Sequence, residues 1–190
     1  MQIFIIGPSG CGKSTQAKKI AEKYGLTHFS TGQLLRDEMA ANTQLGRDAK
    51  VCLDSGQLVP DDIVFAILVA NLQTINNQNF IIDGFPRMLY QGQYIEKYLA
   101  NKGQALDLII HLDVTVEEIQ ARRAARGQAF QDAARTDNTP EAIASRQKFY
   151  DDNNGPIMEY FQEKGTLFRV DGNRPVEPIF DDIVKAIENI

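Results

Sequence analysis

Apolar residues along the chain fall into two patterns. Short runs at 3–6, 80–82, 108–112 and 167–170 are unalternating and rich in Ile, Leu, Phe and Val, as expected of parallel strands covered on both faces. Around them, apolar positions recur at helical spacing over 13–24, 31–41, 61–75, 89–101, 116–126, 139–149, 156–163 and 177–189. Start and stop signals agree. Thr115 with Glu118 predicts a capping box, Pro140 after Thr139 a first helical turn, and Gly25, Gly103 and Gly165 helix ends. Alternation of the two patterns predicts an α/β fold, an open parallel sheet with helices on both faces. Ligands of such sheets bind beyond the carboxyl ends of the strands. Gly7, Asp83, Asp113 and Asp171 follow the four apolar runs and so fall where a ligand is expected.

The first run leads into GPSGCGKST at 7–15 and then into a helical pattern. Gly7, four residues, Gly12, Lys13 and Ser14 have the spacing of a phosphate loop, so the sheet is of the P-loop NTPase type. Gly10 and Gly12 let backbone N–H groups turn toward an anion, Lys13 reaches the β and γ phosphates, and the following helix directs its positive end at them. Ser14 or Thr15 then brings a hydroxyl to Mg²⁺ or to the α phosphate. A glycine-rich turn is the plainer reading, but the motif is complete and stands between strand and helix as the function requires. Cys11 lies inside the loop. Nearby amides and Lys13 are of the kind that lower a thiol pKa, although a small side chain that leaves the loop backbone free is the simpler reading.

Composition narrows the class further. With 190 residues and 43% hydrophobic content the chain suits one well-packed domain. No run reaches the roughly 18 apolar residues of a membrane span, and no signal-peptide pattern opens the sequence, so a soluble cytoplasmic protein is expected. Two cysteines, Cys11 and Cys52, without a CxxC, and only two histidines, give no recognisable zinc site and argue against a disulfide framework. A net charge of −5 argues against a nucleic-acid surface. Local charge differs from the total: five of the ten arginines, and no lysine, lie between Arg122 and Arg146. Planar guanidinium forks suit phosphate oxygens. Within that stretch GQAFQDAART, 127–136, lacks helical periodicity and is the candidate lid.

FSTGQLLR at 29–36, SGQLVPDDIV at 55–64, DGFPRMLYQ at 83–91 and RTDNTPEAI at 135–143 resemble, in order and spacing, segments of the adenylate kinase family. With the phosphate loop and VDGNRPV at 170–176, the resemblance covers essentially the whole chain and is to the short-lid members. It implies reversible phosphoryl transfer from Mg·ATP to AMP, giving two ADP, by a single domain over 1–190. A helical subdomain over 30–59 would bind the nucleoside monophosphate, and a short lid over 126–136 would close on it. The resemblance also implies the site residues. Gly10, Cys11, Gly12, Lys13, Ser14 and Thr15 surround the ATP phosphates; Arg122 and Arg126, on one helix face, reach the ATP side, and Arg174 lies where a backbone carbonyl contacts its adenine. Arg36 and Arg87 hold the acceptor phosphate, beside Gly84, Phe85 and Pro86. Thr31 and Gln91 meet the acceptor adenine, and the backbone of Gln57, Leu58 and Val59 closes around that nucleoside. Arg135 and Arg146 bridge donor and acceptor phosphates, so that Lys13, Arg87, Arg126, Arg135 and Arg146 form the catalytic set. Asp83, joined by Ser14, is the metal site, for Mg²⁺ and not zinc. The expected partners are ATP and AMP or ADP, with neither nucleic acid nor membrane, and the expected state is a monomer.

Other polar residues carry plainer expectations: Arg123 a surface charge, His28 and His111 local packing, Asp61 and Asp62 helix-start charge favoured by the dipole. Departures from the family pattern are confined to details. Ser9 stands in the loop where members have Pro and Ser14 where they have Gly, Met88 replaces a Thr, and Asn138 replaces an Asp, keeping an acceptor oxygen but not its charge. Ser14 leaves open direct ligation of the metal beside the family's water-mediated arrangement. A UMP or CMP kinase and a catalytically silent nucleotide-binding module remain alternatives. Thr31 favours AMP over pyrimidines, and the intact Lys13 and arginine set disfavour the silent module.

Overall fold

The computed structural model describes residues 1–54, 59–126 and 140–190, with the side chains at 53, 54, 123, 126, 140 and 142 excepted. Five parallel strands, β1 (Gln2–Ile6), β2 (Thr27–Ser30), β3 (Phe80–Asp83), β4 (Leu108–Asp113) and β5 (Leu167–Asp171), lie in the order β2-β3-β1-β4-β5. Registers Phe4↔Ile82 and Phe4↔Ile109 place β1 between β3 and β4. Chain order reverses about β1, and the crevice beyond its carboxyl end is where an open sheet of this kind takes its ligand.

The unalternating runs follow from cover on both faces. Ile3, Ile5, Leu108, Ile110 and Leu112 face one cluster with Ala17 and Ile20 of α1 (Lys13–Tyr24) and Ile179 and Ile183 of α8 (Val176–Ile187). Phe4, Ile6, Phe80, Ile82 and Ile109 face the other, with Leu68 of α4 (Asp61–Thr74), Ile95 of α5 (Leu89–Ala100) and Phe161 of α7 (Pro140–Glu163). Adjacent residues of one strand thus serve opposite cores.

Three expectations need correction. The sheet has a strand that the apolar runs do not mark: β2 is an edge strand in which only Phe29 is buried, so its sequence, THFS, has no apolar run. The expected helices also leave out α3 (Gln44–Asp54), which follows α2 (Thr31–Ala40) and has Leu45, Ala49 and Cys52 at helical spacing. It starts on a Thr43 cap, with Gly46 N–H donating to Thr43 Oγ1 at 3.0 Å. Finally, the segments 139–149 and 156–163 are one helix, α7, with Pro156 inside it. Ile157 and Phe161 are buried against the sheet, and Gly92 of α5 lets the Phe161 ring approach to 2.9 Å of where a β-carbon would stand. That packing holds the helix through a residue that withdraws one backbone N–H. The remaining helix is α6 (Val116–Arg126). Among the described residues no helix is long and apolar enough to cross a membrane.

Candidate active site

β1 ends against the phosphate loop. Gly7 has φ +148°, and a β-carbon there would stand 2.9 Å from the Leu112 carbonyl oxygen, so only glycine fits the passage from strand to loop. Gly10 and Gly12 also have positive φ, and Gly12 caps α1. Lys13 Nζ donates to the carbonyls of Gly7 (2.9 Å) and Pro8 (2.8 Å), which holds the ammonium over the loop. Cys11 is buried with its Sγ 3.8 Å from that ammonium. Ser14 Oγ donates to the carboxylate of Asp83 at the end of β3. His28 Nε2 lies 4.0 Å from the same carboxylate and has no hydrogen-bond partner among the described residues. Burial lowers the His28 pKa against the opposing pull of Asp83, so the ring is neutral at pH 7.

A second cluster grows from the same strand end. Buried Thr31, the first residue of α2, donates to the carbonyls of Asp83 and Gly84, each at 3.3 Å. Arg87 Nε returns to the Gly84 carbonyl at 3.0 Å, and Phe85 is locked between the rings of Phe4 and Phe65, before a cis bond to Pro86. Gln91, on the first turn of α5, accepts from the N–H groups of Arg87 (2.7 Å) and Met88 (3.3 Å) and donates to Asp61. Arg36 Nη2 donates to Gln33 at 2.6 Å one turn earlier on α2. Val59 is partly buried beside the start of α4; Gln57 and Leu58 lie outside the described residues.

On the other side of the loop a cleft of about 400 Å³ is lined by Gly12, Thr15, Gln16, Arg122, Arg174 and Val176, among others. Arg122 closes it. Its Nε donates to Glu118 at 2.8 Å, Nη1 to the Cys11 carbonyl at 2.7 Å, and Nη2 to the carbonyls of Gly172 and of Arg174, the latter at 3.2 Å. These bonds fix the Arg122 guanidinium at the wall of the cleft. The engagement of Glu118 also halves the expected capping box. Glu118 N–H donates to Thr115 Oγ1 at 3.3 Å, but Thr115 N–H goes to Asn173 Oδ1 at 2.9 Å.

Arg146 is half-buried on α7, one turn before Tyr150. The Tyr150 hydroxyl lies 2.6 Å from Nε2 of buried His111 on β4, next in register to Ile6. Burial raises the Tyr150 pKa and lowers that of His111 to about 4, so phenol donates to neutral imidazole. This bond fixes the Arg146 face of α7 to the strand beside the phosphate loop. Arg126 ends α6, but its side chain, like Arg135, Asn138 and most of the lid stretch, lies outside the described residues.

The structure thus brings together Lys13, Ser14 and Asp83, and beside them Thr31, Gly84, Arg87 and Gln91. Two contributions have no sequence signal: Asp61 holds an amide 30 positions away in sequence, and Tyr150 holds His111 from another element. Glu118 turns from capping to Arg122, four residues on along the same helix. Among the described residues no group of three His, Cys, Asp or Glu side chains converges.

The family described as adenylate kinase matches residues 5–166. A protein named adenylate kinase from Stenotrophomonas maltophilia (strain R551-3) is 40% identical over 99% of this chain and 100% of its own length. One of that name from Phocaeicola vulgatus is 37% identical over the full length of both. Another, from Archaeoglobus fulgidus, is 34% identical over 100% of this chain and 99% of its own.

Proposed function

The chain belongs to the adenylate kinase family, and from that premise we propose that it transfers the γ phosphoryl group of Mg·ATP to AMP, reversibly, giving two ADP. The observation that carries this reading is the meeting of Ser14 with Asp83. It joins the phosphate loop to the strand whose end leads into the Thr31, Arg87 and Gln91 cluster, so two nucleotide subsites share one crevice. The name borne by the relatives favours AMP over a pyrimidine acceptor, and intact Lys13 argues against a silent nucleotide-binding module.

Transfer breaks the bond from the γ phosphorus to the β–γ bridging oxygen and forms one to an oxygen of the AMP phosphate. That oxygen is already ionised, so no nucleophilic side chain and no strong base is needed. Alignment and charge stabilisation do the catalysis. Gly10, Cys11, Gly12 and Thr15 cradle the ATP phosphates through backbone and hydroxyl groups, and Lys13 exchanges the Gly7 and Pro8 carbonyls for phosphate oxygens. Arg36 and Arg87 hold the AMP phosphate, and Arg126, Arg135 and Arg146 surround the transferring group. ATP adenine lies in the cleft between Arg122 and the backbone of Arg174; AMP adenine lies against Thr31, Gln91 and the backbone of 57–59. Segments 30–59 and 126–136 act as the monophosphate-binding subdomain and the lid.

Ser14 and Asp83 present a hydroxyl and a carboxylate in mutual contact. Hydroxyl and carboxylate oxygens suit a hard divalent cation, and these residues would hold Mg²⁺. When bound it neutralises charge on the bridging phosphates.

The test is a coupled assay with Mg·ATP and a panel of monophosphates. AMP is expected to exceed UMP, CMP and GMP in kcat/KM by up to about 10⁴, since a polar pocket penalises a base that leaves its groups unpaired. Comparable values for AMP and CMP would overturn the assignment.

A further inference from the structure

Buried Gln91 has an amide of one possible polarity. Its Oε1 accepts from the backbone N–H groups of Arg87 (2.7 Å) and Met88 (3.3 Å), which can only donate. Its Nε2 donates to Asp61, whose carboxylate only accepts. Turned over, the amide would set its NH₂ against two donors and its oxygen against a carboxylate. Both lone pairs of the oxygen are therefore engaged, and one N–H is left to meet a base.

We propose that Asp61 is the positioning residue that fixes Gln91 as a hydrogen-bond donor toward the acceptor base, and thereby sets which purine is phosphorylated. The proposal rests on the reading of Gln91 as an acceptor-base contact. A donor here pairs with a ring nitrogen that carries a lone pair, as adenine N1 does. It opposes the N1–H of hypoxanthine or guanine, and opposed donors in a buried site are penalised heavily. Location supports this. Asp61 opens α4 directly after Val59 and Pro60, and Gln91 sits in the first turn of α5, so the bond ties together two elements that border the subsite. An acidic residue in a first helical turn already has a plain role, interaction with the dipole. That role alone affects melting and leaves substrate choice untouched.

The experiment compares initial rates for wild type, Asp61→Ala, Asp61→Asn, Gln91→Ala and the double variant, with AMP and inosine monophosphate as acceptors, beside thermal melts. Asp61→Ala is expected to raise KM for AMP about 10-fold or more and to lower the AMP-over-inosine-monophosphate ratio of kcat/KM by a similar factor, with KM for ATP unmoved. Asp61→Asn keeps an acceptor oxygen and recovers most of the loss. Gln91→Ala gives a comparable loss, and the double variant is no worse than Gln91→Ala, because one residue acts through the other. Asp61→Ser, run in parallel, withdraws the carboxylate while keeping a helix-start residue, so the comparison survives an alanine variant that does not fold. If Asp61→Ala and Asp61→Ser leave the ratio unchanged while Gln91→Ala alters it, the positioning role is wrong and the acceptor subsite stands. Additive losses also overturn the positioning role. If Gln91→Ala leaves KM for AMP unchanged, the subsite reading fails and the inference with it.

Discussion

Ser14 and Asp83 meet across the crevice beside β1, the hydroxyl of the first donating to the carboxylate of the second. One stands at the first turn of α1 and the other closes β3, so this hydrogen bond joins the end of the phosphate loop to the path to the acceptor side. Asp83→Asn keeps the shape and removes the charge. It is expected to lower activity at limiting Mg²⁺ by about 10- to 100-fold, as for residues that orient a metal and its waters, with partial recovery at high Mg²⁺. Titration of rate against free Mg²⁺ for wild type and variant checks this, and an unchanged Mg²⁺ dependence would remove Asp83 from the metal site.

Arg146 is held in place by the Tyr150–His111 bond one turn further along α7. If its guanidinium meets the transferring group, Arg146→Ala should lower kcat by about 10² to 10³, the range for loss of one donor to developing charge. Arg146→Lys should fail as well, because a point charge does not reproduce a fork between two phosphates. Steady-state kinetics with melts decides: near-normal kcat at an unchanged melt makes Arg146 a surface charge.

Much of this was legible in the sequence, and what was not has a physical cause. Ile3 to Ile6 announce a central strand because both faces are covered, whereas Thr27 to Ser30 form an edge strand with one buried apolar residue and so give no run. α3 is less plain than α2 because its apolar positions Leu45, Ala49 and Cys52 are few and stand among Arg47, Asp48 and Lys50, while backbone contact at Gly46 brings it against α2. Pro156 reads as a boundary in sequence, and only the burial of Ile157 and Phe161 carries the helix through it. At the site, Lys13 stands in a phosphate-loop spacing and Asp83 follows an apolar run, so their places at the strand ends were visible. Asp61 and Tyr150 were not, because their partners come from other elements.

The close approach of α2 and α3 can be tested directly. A β-carbon on Gly46 would stand 2.0 Å from the Glu38 carbonyl oxygen, and backbone on both sides leaves no flexible group to yield. Gly46→Ala is expected to destabilise the fold by about 1–3 kcal/mol or more and to raise KM for AMP more than KM for ATP. Melting curves and both KM values are the readout; a melt equal to wild type would contradict the contact.

His111 makes stability depend on pH. Its folded pKa of about 4 lies below the ordinary 6.5 because burial disfavours the imidazolium. Above about pH 6.5 both states are neutral and the contribution is fully present. Below that the unfolded chain binds a proton that the folded one refuses, so stability falls progressively down to about pH 4, by on the order of 3 kcal/mol. Urea midpoints measured across this window should fall more steeply for wild type than for His111→Gln. Parallel curves would mean that the ring protonates in the folded state.

The reaction itself is tested most directly by giving the purified protein ADP and Mg²⁺ alone and following the nucleotides by ³¹P NMR. The expected result is conversion of two ADP into equal amounts of ATP and AMP, approaching the same final mixture that ATP plus AMP reaches from the other side. ADP that persists unchanged, or that yields AMP and free phosphate without ATP, would contradict phosphoryl exchange between two nucleotides as the function of this protein.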